Sequence, residues 1–301
     1  MMDLLQSALM QRALLVALLV GATAPIIGTY LVQRRLALLG DGIGHIALTG
    51  VAAGWLSGAF VGLASPESLA LPGAVVVAVI GAVGIESIRA KGRITADVAM
   101  AILFYGGIAG GVLLIKIAGG TSANLMTYLF GSIATVSASD LVWTVALAGL
   151  VLAVSLGLRG PLFAVSHDEE FAKASGLPVQ LLASILAALA ALTVTVSMRV
   201  VGLLLVSALM IVPVAIAQTM TRSFTRTMAA ASVIGAGASI VGLSFTYWYD
   251  LPPGSTIVVL TIGLYAAVSL IQRLRHQRPR EGDPHLNLPD DVELEPTSES
   301  G

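Results

Sequence analysis

Apolar residues run through the chain in long blocks, not in alternation. The blocks fall at about 8–33, 38–63, 72–90, 94–118, 139–158, 179–198, 200–220, 227–248 and 255–272, broken by charges or Gly/Pro clusters. A bilayer core needs about 20 helical residues to cross but only about ten in a barrel strand, so blocks of this length predict nine transmembrane helices. The expected fold class is all-α and polytopic. In the first block, Arg12 and Ala22-Thr23-Ala24 resemble a cleavable signal peptide. Pro25 follows the would-be cleavage site and the apolar run continues to Val32, so the block reads as a span.

Composition sharpens this picture. Of 301 residues, 56% are hydrophobic and 11% charged, against about 25% charged in soluble domains. Eleven of those charges, four Arg and seven Asp/Glu, lie in residues 272–301. That stretch is polar, Pro-rich and acidic, which predicts a disordered tail over 273–301 behind a membrane domain of 1–272. His276 and His285 read there as solvated residues. The remaining cations cluster by loop. Arg34/Arg35, Arg89/Lys91/Arg93, Arg159/Lys173, Arg222/Arg226 and Arg273–Arg280 would share one side, leaving Arg12, Lys116 and Arg199 on the other. The positive-inside rule then places the N-terminus outside and the C-terminus in the cytoplasm.

Several function classes fall away. A net charge of −1 gives no sign of a nucleic-acid partner, because no basic face exists to neutralise phosphates, and none is expected. The absence of cysteine excludes disulfides and thiolate metal sites. None of Lys91, Lys116 and Lys173 follows a glycine, so no P-loop is present. No H-E-x-x-H metalloprotease motif occurs, and no nucleophile–base motif is recognisable. The chain therefore reads as non-enzymatic, and any uphill work must draw on a partner or an ion gradient.

Two segments carry candidate chemistry. In LLGDGIGHIALTGVAAG, Asp41 and His45 stand four apart, on one helix face with Thr49 a turn further. An intramembrane carboxylate and imidazole suit Zn²⁺, Mn²⁺ or Fe²⁺. Asp41 is also only six residues from Arg35, roughly 9 Å along a helix, so Asp–Arg or Asp–His structural pairing stays open. The second segment is GPLFAVSHDEEFAKASGLPVQ. Ser166 and Glu169 form a candidate capping box. Asp168, Glu169 and Glu170 suit a helix N-terminus and Lys173 a C-terminus. Gly176 fits the position after the helix, and Pro178 blocks continuation. These signals predict a helix of about two turns on the cytoplasmic side, as a solvated loop or as a rigid knob for a cytoplasmic partner.

Other features concern packing. Gly50, Gly54, Gly58 and Gly62 recur every four residues, and Gly106/Gly110 and Gly107/Gly111 repeat the theme. Such stripes predict close helix approach. NLMTYLFGSIATVSASD, too short to cross, reads as an external re-entrant or interfacial piece. YWYDLPPGST reads as an external aromatic belt with a tight turn.

At this point the motifs form a recognisable set. LLGDGIGHIALTG resembles the G-D-x-x-x-H motif of membrane permeases in the zinc/manganese/iron family of ABC importers. YLFGSIATVSASDL is similar to that family's YLFG segment. DEEFAKASGLPV resembles its coupling-helix segment, keeping Ala172 and Gly176. VVGLLLVSALMIVPVAIA and YDLPPGSTIVVL resemble the two remaining signature stretches, and the five run in family order over about 10–272. Thr49 departs from a Pro that many members carry before the glycine, which leaves the local helix geometry open.

The resemblance implies a type II ABC importer permease fold in a bacterial plasma (inner) membrane. Two permease copies would form the path, two separate ABC ATPase subunits would dock below, and an extracellular metal-binding protein would deliver cargo. No permanently bound cofactor is implied; the cargo would be zinc or manganese, with a lean to zinc. Asp41 and His45 would contact the metal. Ser166, Asp168, Glu169, Glu170, Ala172, Lys173 and Gly176, in a coupling helix over about 166–176, would engage the ATPase. An ion-coupled secondary transporter of divalent metal is the alternative, against which stands the lack of an internal repeat.

Overall fold

A computed structural model describes residues 8–63, 65–92, 95–119, 128–131, 136–249 and 251–276. Its helices are α1 (Ala8–Gln33), α2 (Leu39–Phe60), a 3₁₀ turn (Pro66–Leu69) leading into α3 (Ala70–Ala90), and α4 (Ala96–Ile117). There follow α5 (Ala138–Gly157), α6 (Arg159–His167), α7 (Glu169–Ala174), α8 (Val179–Val201), α9 (Leu203–Met220), α10 (Phe224–Tyr249) and α11 (Pro253–His276). Among the described residues nine helices are long and apolar enough to cross a membrane. Each corresponds to one of the apolar blocks, so the protein is an all-α polytopic membrane protein.

Two expectations change at the boundaries. The single two-turn helix over 166–176 is two helices, because Asp168 is extended (φ −147, ψ 102) and separates α6 from α7. α11 runs to His276, four residues into the stretch read as tail. The rest of that tail, residues 277–301, lies outside the described residues, as do 120–127, 132–135 and Asp250 of the two loops read as external.

Lipid tails are as apolar as leucine, so the spans gain little from burying hydrophobic faces and associate by close backbone approach and hydrogen bonds. α1 is the most buried span and packs against α5, α9 and α10. Pro25 has no N–H for the Gly21 carbonyl one turn earlier; that carbonyl lies against Gly235 of α10, where a Cβ would not fit. On the next turns Gly28 meets the Met210 backbone of α9, and the buried Tyr30 hydroxyl donates to the Ser155 carbonyl of α5 at 3.0 Å.

α2 is held on two sides. Gly50, Gly54 and Gly58 press against the backbone of residues 66–74. On its other side Gly107, Gly110 and Gly111 of α4 meet His45 to Thr49. Gly62 and Gly106, read as part of these stripes, have no described atom within 4 Å of where a Cβ would stand. Thr49 leaves α2 uninterrupted, and its hydroxyl donates to the Gly107 carbonyl at 2.7 Å. A proline there would lack that bond.

Contacts between connections define the two ends of the bundle. On one end Gln33 Nε2 meets His167 Nδ1 at 2.9 Å, Arg159 donates to Thr225, and Gln272 donates to the Thr219 carbonyl at 2.7 Å. On the other, α8 and α9 are joined by Gly202 alone, at φ +90, with its Cα against the backbone of Leu129 to Gly131. The YLFG and VVGLLLV stretches therefore touch.

Candidate metal path and coupling helix

Asp41 lies in the first turn of α2, where a carboxylate is favoured by the positive end of the helix. His45 follows one turn later, and the two side chains face each other, Nε2 to Oδ2 at 3.8 Å. That is too long for a hydrogen bond but within the span of one cation bonded to each at about 2.1 Å. The imidazole lies edge-on to Phe104 of α4, centroids 4.4 Å apart, and its buried Nδ1 has no partner among the described residues. Asp41 opens onto a cleft of 320 Å³ whose lining includes Gly42, Asp97, Met100, Phe104 and Tyr105.

The structure thus places Asp41 beside His45, and its recorded ion pair is with that histidine, not with Arg35. Asp97 was not singled out from the sequence. Its signal was the helix start it follows, where Thr95 caps α4 by accepting from the Val98 N–H at 3.4 Å. Among the described residues no group of three or more His, Cys, Asp or Glu is positioned to hold a metal ion.

At the same end of the bundle as the α1–α2 connection, α6 and α7 form a short corner. Leu162, Val165 and Ser166 are the buried residues of α6, the i, i+3, i+4 stripe of an amphipathic helix. Ser166 is therefore inside α6, its hydroxyl buried and without a partner among the described residues, and does not cap α7. Asp168 does: its carboxylate accepts from the Phe171 N–H at 2.9 Å. Asp168 is better placed because its extended backbone turns the side chain back over the free N–H groups of the first turn.

The other end of α7 closes as the sequence implied. Gly176 (φ +80) donates to the Lys173 carbonyl at 3.1 Å and Leu177 to the Ala172 carbonyl at 3.1 Å, the paired bonds of a Schellman motif. Ala172 is wholly buried, whereas Glu170, Phe171 and Lys173 point outward, Phe171 with 65% of its surface exposed. An aromatic ring on an otherwise polar knob was a legible signal, and the sequence reading passed over it.

Glu169 turns the other way. Its Oε2 accepts from Arg34 Nη2 at 3.3 Å and from Arg89 Nη2 at 3.2 Å. The same two nitrogens donate to Oε1 of Glu86, at 2.8 and 2.7 Å. Four charges alternate around a closed ring drawn from the end of α1, the last turns of α3 and the first turn of α7. Arg34 and Glu86 keep only 4% and 2% of side-chain exposure, Arg89 22% and Glu169 40%. Exposed ion pairs contribute little, but a buried one is costly to break because the remaining charge is left uncompensated. Glu86 went unnoticed in sequence, although Glu86 and Arg89 are an i, i+3 pair closing an apolar helix. Arg34 and Arg89 were read there as side markers; each also pairs within the protein, Arg34 through a buried side chain and Arg89 through a partly buried one.

Comparison with known proteins adds three findings. The model of a family described as ABC 3 transport family matches residues 6–272. A manganese transport system membrane protein, MntC of Halalkalibacterium halodurans, is 33% identical over 264 residues, covering 88% of this chain and 87% of its own. Among solved structures, PsaBC from Streptococcus pneumoniae in complex with Fab superposes with a TM-score of 0.76 at 31% identity, over 89% of this chain and 93% of the matched one.

Proposed function

The chain belongs to the ABC 3 transport family, and on that footing we propose that it is the non-catalytic membrane permease of an ATP-driven importer of a divalent transition metal. The observation that carries the metal reading is the Asp41–His45 pair, one carboxylate and one imidazole facing each other beside an open cleft. An oxygen and a nitrogen ligand suit manganese, zinc or iron. The similarity to a manganese transport system membrane protein favours manganese over zinc as the cargo. With two side chains supplying ligands, water or a second copy of the permease completes the coordination.

ATP is hydrolysed by separate ABC subunits, and an extracellular metal-binding protein delivers the ion. The permease works as a homodimer in the bacterial inner membrane, with its N-terminus outside and the α7 end in the cytoplasm. The outward face of α7, with Glu170, Phe171 and Lys173, is the docking surface: Phe171 enters an apolar groove of the ATPase and the two charges fix its orientation. Closure of the ATPase pair then drives exchange between inward- and outward-open states, which differ in their affinity for the ion.

Proteoliposomes containing permease, ATPase and metal-binding protein test this directly. Mn²⁺ uptake should require ATP, and Asp41→Asn and His45→Ala should each abolish it while the complex still assembles. Uptake without the ATPase would establish the secondary-transporter alternative instead. Normal uptake in both variants would reject the metal assignment.

A further inference from the structure

The docking surface accounts for Glu170 and Phe171 but leaves the four-charge ring unused. Among the described residues, the two ion pairs of Glu169 are the polar contacts recorded between α7 and spans outside its own connection. Their two arms have different routes and one destination. Arg34 directly follows α1, and the chain beyond it is tied back by backbone hydrogen bonds. Arg35 takes the left-handed conformation (φ +59), Leu36 donates back to the Leu31 carbonyl at 2.9 Å, and Leu39 donates to the Leu36 carbonyl at 3.0 Å. α2 starts there, and Asp41 is its third residue. Arg89 lies in the last turn of α3, whose Gly73 and Ala74 pack directly on Gly50 of α2. One arm reaches α2 through the chain, the other through backbone packing.

We propose that Glu169 is a positioning residue, a strut that locks α7 to the ends of α1 and α3 so that movement of α7 is delivered to the helix carrying Asp41 and His45. Glu169 and Glu170 are then neighbours with opposite tasks: Glu170 faces the ATPase, and Glu169 faces the permease. The ring has two positive and two negative charges, so it is neutral only when Glu169 is in place. Without that carboxylate Arg34 and Arg89 share Glu86, repel each other, and release α7 from both spans.

This inference rests on the importer reading, and the experiment separates the two. In the reconstituted complex, Glu169→Gln should co-purify with the ATPase as the wild type does. The ATP hydrolysed per Mn²⁺ imported should rise about tenfold, the scale of one charge-assisted hydrogen bond. Glu170→Lys should instead weaken co-purification. Because the chain has no cysteine, Arg89→Cys with Glu169→Cys gives a second, tunable variant: uncoupled as made, and recoupled when a bifunctional maleimide tethers the two thiols. Overturning results are a Glu169→Gln complex with the wild-type ratio, loss of its co-purification at the level of Glu170→Lys, or a folded, tethered pair that stays uncoupled. A wild-type complex that imports no metal with ATP overturns the importer reading itself.

Discussion

Gly107→Ala tests whether the contact between α4 and α2 positions Asp41 and His45. A Cβ on Gly107 would stand 2.5 Å from the Ile46 nitrogen and 2.7 Å from the His45 carbonyl oxygen, whereas ordinary contact begins at 3.4 Å. The atoms in the way, the His45 carbonyl carbon nearest of all, are backbone, so no side chain can rotate aside, and the helices must part by about 1 Å, a movement that overpacked sites meet at about 1–3 kcal/mol. Parting also stretches the 2.7 Å bond from Thr49 to the Gly107 carbonyl, worth about 1 kcal/mol. Gly106→Ala, one position away, meets nothing within 4 Å and should gain about 0.5–1 kcal/mol from helix propensity. Thermal unfolding of the two variants in detergent should therefore differ in sign, with Gly107→Ala below the wild type and Gly106→Ala level with it or above. A separation of about 2–5 kcal/mol is expected between them. Manganese uptake should fall in Gly107→Ala and persist in Gly106→Ala. Equal stability in both variants would show that the α2–α4 contact is looser than described and would remove the packing argument for His45.

Two further outcomes follow from backbone geometry. Asp168→Ala should lose about 1 kcal/mol of local stability from the missing cap, read as faster amide exchange in residues 169–174. Ser166→Ala should leave exchange there unchanged; the reverse pattern would restore Ser166 as the cap. Arg35→Gly should raise the unfolding midpoint, because a non-glycine residue at φ +59 carries about 1–2 kcal/mol of strain, partly offset by the freer unfolded chain. A lowered midpoint would mean that the Arg35 side chain makes a contribution larger than that strain.

The parts of this fold legible in the sequence are those set by short-range rules. Nine apolar blocks became nine spans because bilayer thickness fixes the length of a crossing helix. Gly176 became a left-handed helix stop because a side chain is penalised there. Asp41 and His45 met because four residues is one helical turn. The misreadings were cases in which two local rules competed or a residue acted at long range. Ser166 and Asp168 both had capping chemistry, and the apolar stripe at Leu162 and Val165 that drew Ser166 into α6 was overlooked. Gly106 kept the spacing of a packing stripe but faces away from α2. The charge ring unites positions 34, 86, 89 and 169, and arginine at a span end carries the same local signature whether it meets lipid headgroups or a buried glutamate. Only the Glu86–Arg89 spacing announced any of it.

The corner at Gly202 bears on how motion crosses the bilayer. A long connection between α8 and α9 would behave like a slack rope, letting one helix shift while the other stayed put. One residue, wedged against the backbone of Phe130 and Gly131, leaves no rope to take in. α8 begins five residues after α7 ends, so the covalent route from α7 to α9 is a four-residue link, one membrane-long helix and a single glycine. The far mouth of the bundle is thereby geared to the near one, without any part of the chain having to melt or reform.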